Sequence, residues 1–563
     1  MTDSKTKHLG NSGKQSGTAD SKQEATASVP FTNAWVAGAL GAALALAIGE
    51  FFGRISTQLE TLVNGVGNLF VEITPGDIVA TSINTLGTFQ KPLLLGGITV
   101  GAIAVGGFLG TRSRDSVRPI IIGFLAFGIF GGWATGRGDL ASWPLSFVVA
   151  LVAAAVGAAA AIALLWASRR AANVGTEPII PGTPLSQAAG RRQLLTYGGV
   201  AAGAAVLTGA SRITGTSAAE AARDNLISGS SGSTSSAAVQ VNLPIGEFDD
   251  VVGLAPRITA ISPSDDFYLI DTAFSKPQVN PATWSLSIGG EFVDNPISYT
   301  YDQLLARDQV TREVTLSCVS NPVGGDLVDN AIWTGIPVTE LLEEAGVQDP
   351  TNDQHQFFSR SVDGFTCGFP LPLAYDGRTA MLALTMNGEP LPIDHGFPAR
   401  LVIAGLYGYV SATKWIESIT VTDWIGVDGF WQPRGWSKEG PVKTQSRIDV
   451  PRGNETLSAG TITLGGVAWS PTIGIERVEV AIQSTEGLQS IDDLVDEWVE
   501  VELANTESNE TWVQWRHDWE GVPGEYVARV RATDSTGFTQ SPVLVNPAPN
   551  GAEGFHTIVF RVQ

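Results

Sequence analysis

Apolar and polar positions divide the chain into two textures. Residues 1–30 are polar, rich in Ser, Thr, Lys and Gly, and read as a disordered tail. Five charge-free apolar stretches follow: Phe31–Gly49, Pro92–Gly110, Pro119–Thr135, Ser142–Ala167 and Gln193–Ala210. Each has roughly the 17–25 residues a helix needs to cross the hydrocarbon layer, so 31–210 is expected to be an all-α transmembrane region of five helices. Between the first two, Glu60–Glu72 and Asp77–Lys91 enclose runs too short to span, which predicts a loop with an interfacial helix. Ser, Ala and Gly dominate 211–240, the composition of a flexible linker.

From about Val241 the pattern shortens. Asp302–Arg307 and Pro337–Gly346 predict helices, while Arg400–Ile403 and Trp415–Thr422 predict strands, so 241–442 is expected to be an α+β domain. Beyond a boundary near Lys443–Asp449 the pattern is purely β. Val478, Val480 and Ile482 alternate with polar neighbours, as do Val499, Val501 and Leu503, then Tyr526, Ala528, Val530 and Ala532. Strands with one apolar face predict an antiparallel, immunoglobulin-like sandwich over 443–563.

Charge sharpens this division. Residues 1–242 carry 16 Lys/Arg against 12 Asp/Glu, whereas 243–563 carry 18 against 44, giving +4 and −26 within a total of −22. An acidic outer half repels phosphate and excludes nucleic acid as a partner. Only four lysines lie there, a bias that resembles the surfaces of halophile proteins. Arg112, Arg114 and Arg118 follow the second apolar stretch, and Arg169, Arg170, Arg191 and Arg192 lie between the fourth and fifth. The positive-inside rule makes both loops cytoplasmic, with the N-terminus inside and the acidic half outside a plasma membrane. Gly190-Arg191-Arg192-Gln193-Leu194-Leu195 before the last stretch resembles a twin-arginine export signal, and it equally suits a plain topological flank. His8 is the only histidine before His355, which excludes a bis-histidine haem in the spans.

Two cysteines, Cys318 and Cys367, exclude a disulfide scaffold. Thr315-Leu316-Ser317-Cys318-Val319-Ser320-Asn321-Pro322 places the first at a strand end before Gly324-Gly325. Farther on, His395, Arg400 and Lys414 lie within about twenty residues on glycine-bounded loops, a set suited to a phosphate-bearing cofactor. A nearby cysteine suits a thiolate metal ligand, although an isolated cysteine also serves as a buried filler. Cys367, in Phe365-Thr366-Cys367-Gly368-Phe369, reads as part of a packed strand.

Several motifs agree in order with one family. They are Asp265-Asp266-Phe267-Tyr268-Leu269-Ile270-Asp271, Ser317-Cys318 with Asn321, Ala331-Ile332-Trp333-Thr334-Gly335-Ile336-Pro337, Met386-Asn387-Gly388-Glu389-Pro390-Leu391-Pro392, and His395 through Lys414. Together with Gly465-Gly466-Val467-Ala468-Trp469-Ser470 they resemble the sulfite oxidase family of molybdopterin enzymes over Val241–Gln563. The resemblance implies a molybdenum–molybdopterin cofactor, with Cys318 as molybdenum ligand and Asn321 in the metal-ligand loop. It further implies that His395, Arg400 and Lys414 hold the pterin phosphate and ring, helped by backbone groups of Ala412 and Thr413. Phe267, Tyr268 and Asp271 would flank the cofactor, Asp363 would contact the pterin, and Tyr409 would offer a hydroxyl near the metal. The C-terminal domain resembles the family's dimerisation domain, which implies a homodimer.

The implied reaction is two-electron oxygen-atom transfer to or from a small molecule outside the cytoplasm. No haem domain is expected in this chain, so a separate carrier (cytochrome, cupredoxin or quinone-linked protein) would exchange the electrons. Sulfite-oxidising members follow the Cys and Asn with arginine, whereas Asn321 here precedes Pro322, Val323, Gly324 and Gly325. That departure leaves oxidation of sulfite or a related sulfur compound in competition with reduction of an S- or N-oxide. A non-catalytic surface protein with a degenerate cofactor domain is the rival from another class.

Overall fold

The computed structural model describes residues 29–56, 59–86, 89–138, 141–174, 195–208, 218–229, 245–252, 259–487, 495 and 497–563. Among the described residues, eight helices precede the short one at Asp249–Val252 and the β-rich half: α1 Phe31–Ile55, α2 Leu62–Ile73, α3 Gly76–Leu86, α4 Gln90–Arg112, α5 Arg118–Gly136, α6 Trp143–Val174, α7 Leu195–Thr208 and α8 Ala218–Gly229. Four of them, α1, α4, α5 and α6, are long and apolar enough to cross a membrane. The fifth expected span corresponds to α7, which is shorter over its described residues, and Arg191-Arg192 lie outside them. α1 outruns its apolar stretch by a turn that ends in a Glu50–Arg54 ion pair at 3.6 Å.

Small residues let these helices approach closely. Helix α1 crosses α4 where a Cβ on Gly38 would overlap the Gly106 carbonyl oxygen, and it meets α6 where one on Gly41 would lie 2.6 Å from the Gly157 carbonyl oxygen. Without a hydrophobic drive between helices in lipid, such backbone contact supplies the packing energy. Two structures depart from the reading above. The region after α1 forms two helices, α2 and α3, rather than one. The expected linker contains α8, which buries Ala219 and sends the Arg223 guanidinium to the Pro390 and Leu391 carbonyls at 3.2 and 3.1 Å.

The next domain is built from β1 Ser285–Gly290, β2 Ile297–Thr300, β3 Val310–Ser317, β4 Val328–Pro337, β5 His355–Ser361, β6 Thr366–Pro370, β7 Ala380–Met386, β8 Glu389–Pro390, β9 Arg400–Ile403 and β10 Ile416–Asp423. One sheet runs β2-β1-β10-β5-β6, with β1 and β10 parallel, and the other runs β3-β4-β7-β8 with β9 paired to β7. Strand β1 alternates exposed and buried positions over most of its length, while β4 and β7 are buried on both faces and read as near-continuous apolar runs. Short helices span Tyr301–Leu305 and Val338–Glu344. Thr300 and Gln303 close a capping box on the first.

The C-terminal region contains β11 Gln445–Val450, β12 Thr456–Leu457, β13 Gly460–Trp469, β14 Ile475–Ser484, β15 Val499–Glu500, β16 Glu502–Leu503, β17 Val513–Gly521, β18 Gly524–Asp534 and β19 His556–Val562. They form sheets β11-β13-β17-β16 and β12-β19-β18-β14-β15 around one core that includes Leu464, Val480, Trp515, Val530 and Phe560. All pairings are antiparallel except β12 with β19. At Val501 the chain leaves one sheet for the other, which divides the single strand expected at 499–503. Trp512 docks this unit on its neighbour: its N–H donates to Thr315 Oγ1 at 2.7 Å and its indole N–H to the Ala260 carbonyl at 2.9 Å.

The helix contacts predict opposite fates for two glycines. Gly38→Leu forces α1 from α4, and overpacking of this kind costs about 1–3 kcal/mol or more. Gly101→Leu enters open space. In detergent, the thermal unfolding midpoint should fall by several degrees for the first and stay near wild type for the second.

Candidate functional site

Cys318 follows the last residue of β3, where the chain turns into a loop closed by its own polar groups. The Cys318 N–H donates to the Leu327 carbonyl at 2.9 Å, and Asn321 Oδ1 accepts the Leu327 N–H at 3.0 Å. The Ser320 N–H points at Cys318 Sγ, 3.4 Å away. Burial pushes the thiol pKa up, and the Ser320 contacts offset it only in part. Gly324 has φ +74°, and a Cβ there would overlap the His556 ring, so the loop takes its path because this position is glycine. Arg447 of β11 clamps the far side by donating to the Gly325 carbonyl at 2.8 Å, and it spends its charge on Asp449 at 2.6 Å.

Opposite the thiol stands a wall of cations. His395 ends a tight turn, Arg400 opens β9, and Lys414 precedes β10. Gly396, at φ +112°, lets the chain pass between the last two, since a Cβ there would lie 3.1 Å from both Arg400 Cβ and Lys414 Cα. Arg400 is 5% exposed, touches only the carbonyls of His395 and Leu401, and lies over the Trp333 ring at 5.0 Å. Among the described residues no carboxylate pairs with it, and burial lowers its pKa to about 10. Burial first, then the charges of Arg400 and Lys414, hold His395 down to about 3, so it is neutral; its Nε2–H donates to the Ser264 carbonyl at 2.9 Å.

Lys414 Nζ reaches Asp271 Oδ2 at 2.8 Å and the Asp394 carbonyl at 3.0 Å. Asp271 also receives Lys91 from the first turn of α4, at 3.0 Å. Burial acts to raise the Asp271 carboxyl, but the two ammonium groups outweigh it and hold the group below the ordinary carboxylate range. Lys414 is lowered, chiefly by burial and also by Arg400 and Lys91, against the pull of Asp271. Lys414 and Lys91 therefore share the Asp271 carboxylate, with the Arg400 guanidinium near Lys414. The other nearby acid, Asp363, is pushed up by burial.

The segment before Asp271 is pinned by Asp329 of β4, whose carboxylate accepts the Ser262 hydroxyl at 2.8 Å and the Tyr268 N–H at 2.7 Å. Phe267 stacks on Tyr268 and presents its edge to His395, with centroids 5.5 Å apart. One cavity is thus lined by Phe267, Tyr268, Asp271, Cys318, Asp363, His395, Arg400, Tyr409, Ala412 and Lys414. Asn321 and Thr413 do not line it. Asn321 braces the cysteine loop, and Thr413 Oγ1 contacts Ser359 at 2.7 Å and Cys367 Sγ at 3.0 Å. The Tyr409 ring faces the cavity, but its hydroxyl turns to the Ser437 and Glu439 carbonyls. The Ala412 N–H is likewise taken, by the Gly408 carbonyl at 3.0 Å. Sequence reasoning missed Asp329 and the aromatic walls Trp415, Trp431 and Trp436. A buried Asp-Asn pair in an otherwise apolar strand was the available signal for the first.

The site's donor set meets its counterpart among known proteins. Residues 273–431 match the oxidoreductase molybdopterin binding domain family, which defines the class. The chain is 30% identical to human mitochondrial sulfite oxidase over 232 residues, covering 34% of this chain and 42% of that protein. It is 31% identical over 157 residues to an uncharacterized oxidoreductase, YuiH, of Bacillus subtilis, covering 28% of this chain and 74% of that protein. The sulfane dehydrogenase SoxCD of Paracoccus pantotrophus superposes with a TM-score of 0.45 at 20% identity, over 54% of this chain and 86% of that one. The chain belongs to the sulfite oxidase family of molybdenum-cofactor oxidoreductases. It spans less than half the length of the human enzyme that it matches.

Asp329→Ala should free Ser262 and Tyr268, costing about 2–4 kcal/mol for hydrogen bonds to a buried charge. Lower molybdenum content with an unaltered C-terminal region would be its signature. Asp271 gives a pH prediction. Its folded pKa lies below the unfolded value of about 3.9, so its stabilisation is present above that pH and lost as pH falls through the folded pKa. The stability gap between wild type and Asp271→Asn should therefore be full at neutral pH and close in acid unfolding below about pH 4.

Proposed function

We propose that the chain is a membrane-anchored enzyme that performs two-electron oxygen-atom transfer outside the cytoplasm, on sulfite or a related sulfur compound. One observation carries this reading: a buried thiol shares a cavity with two buried cations, Arg400 and Lys414, a soft metal ligand beside an anion seat. Among the described residues no group of three or more His, Cys, Asp or Glu could hold a metal ion. Cys318 suits a metal whose remaining ligands arrive with an organic cofactor. The donor set fits molybdopterin: Cys318 would take the metal, while Arg400, Lys414 and His395 would hold the phosphate and ring. The bound cofactor supplies the oxygen-transfer chemistry. The chain's own residues orient it, keep water out with Phe267, Trp415 and Trp436, and hold Lys414 charged against Asp271.

The four long apolar helices support anchoring, and the basic loops after α4 and α6, taken with α7 as a fifth crossing, support an outer location for the acidic half. The two C-terminal sheets about one core support an immunoglobulin-like dimerisation domain. A second reading, reduction of an S- or N-oxide, is favoured by the neutral Pro322–Gly325 loop and the aromatic walls, which suit an uncharged substrate. Turnover of sulfite with an artificial acceptor, or of methionine sulfoxide with a reduced dye, decides between them. Cys318→Ser should abolish either activity, because serine offers a harder oxygen ligand, while leaving the fold intact. Cys367→Ala should keep its molybdenum; loss of metal there, with retention in Cys318→Ala, would overturn the assignment.

A further inference from the structure

We propose that the cavity between the membrane helices and the cofactor-binding domain is a site for a quinone headgroup, the electron partner of the reaction proposed above, on which this inference rests. The cavity measures about 2590 Å³. One side is membrane-facing helix: Ala47 of α1, Leu94, Thr99 and Ile103 of α4, and Ala204 of α7. The other side is the mouth of the catalytic cavity, because Ile270, Asp271, Ser320, Asp363, Phe365 and Trp431 line both spaces. An occupant that enters along these helices thus reaches the wall of the redox site.

The polar groups on the walls select the occupant. Most cations there are already paired: Arg54 with Glu50, Lys91 with Asp271, Arg137 with Glu72 and Lys276 with Asp394. Acidic residues also outnumber basic ones among the lining side chains, which disfavours an anionic lipid headgroup. The walls suit a neutral molecule with an apolar tail and hydrogen-bonding oxygens. Glu60, between α1 and α2, is the group placed to meet such an oxygen. Its Oε1 accepts from Asn68, while its buried Oε2 has no partner among the described residues. Burial raises this carboxyl to about 7, against the Asn68 hydrogen bond, so it can give or take a proton near neutrality. Phe70, Ile73 and Ile78 of α2 and α3 are exposed, apolar groups suited to the bilayer interface.

The stoichiometry closes. Oxidation of a substrate X follows X + H2O + Q → XO + QH2: water supplies the oxygen atom, two electrons reduce the quinone, and two protons complete the quinol. The reverse direction consumes one quinol and releases water. Glu60 would relay a proton at the quinone oxygen, and the chain would couple one turnover to one quinone.

The test uses the full chain in quinone-free lipid nanodiscs, titrated with a short-chain naphthoquinone and followed by tryptophan fluorescence. Binding should saturate at one per chain and should not depend on molybdenum content, so it is read separately from the oxygen-transfer assay. Gly96 lines the cavity and has nothing within 4 Å of a Cβ position, so Gly96→Trp adds bulk to this wall from a point where the first side-chain atom meets no neighbour. It should weaken binding at least about tenfold. Glu60→Gln should keep binding and lower the ratio of quinone-coupled to dye-coupled turnover by about the same factor. Linear partitioning into the bilayer would show lipid alone in the cavity and overturn the proposal. So would equal affinity in Gly96→Trp. Dye-coupled turnover without quinone binding would sink this inference and spare the enzymatic reading; saturable binding without any oxygen transfer would do the reverse.

Discussion

One carboxylate holds together parts of the chain that are far apart in sequence. Asp271 binds Lys414, from the cofactor-binding domain, and Lys91, from the start of the long apolar helix α4. A buried ion pair gains little net stability, because desolvation offsets the attraction, but removal of either partner leaves an uncompensated charge. The bridge therefore acts as a constraint on geometry. It fixes where the segment carrying Phe267 and Tyr268 lies against His395 and Lys414. It also fixes where α4 meets that segment, with Lys91 donating to the Asp271 and Ala273 carbonyls as well. The helices touch the cofactor-binding domain at further points, including Asn64 with Ser275 and the close approach of Gly76 to Arg434.

The opposite face of the site depends on the C-terminal region in the same way. Cys318 sits on a loop whose outer turn is packed by His556 and clamped by Arg447. Arg447 is nearly buried and paired with Asp449, so its guanidinium contributes a brace and little free charge. The thiol is consequently held from below by β3 and from outside by β11 and β19. Loss of the C-terminal packing would relax the loop even though none of those residues lines the cavity.

The sequence was most informative where a residue's chemistry is independent of its partners. Cys318, His395, Arg400 and Lys414 could be picked out from residue type and glycine spacing and took their roles from the family resemblance, and the structure sets them around one cavity. The two C-terminal sheets were legible because alternation along β14 and β18 survives as one buried face. What stayed hidden depends on distant contacts. Thr413 and Ala412 sit in the right stretch, yet Thr413 turns toward Cys367 and the Ala412 N–H caps a turn. Tyr409 has the right ring position and a hydroxyl drawn off by two carbonyls. Helix α8 has a weak local pattern and is seated by Arg223 on the strand end at Pro390, which no local reading could supply. The Lys91–Asp271 pair spans 180 residues and joins two textures that composition alone had separated.

Charge is distributed unevenly within the cavity, and this gives the site a direction. The unpaired guanidinium of Arg400 and the neutral, hydrogen-bonded His395 lie on the turn-and-strand side, next to Lys414, while the loop beyond Asn321 presents Pro322, Val323 and two glycines. Buried cations in a low-dielectric space attract an anion far more strongly than the same cations would in water. A ligand with a phosphate at one end and soft sulfur at the other is therefore turned by the protein before any specific contact forms: its anionic end toward Arg400 and its soft end toward the Cys318 thiol. Two buried cations so close together are costly if nothing balances them. That same cost is what would give an incoming anion its orientation.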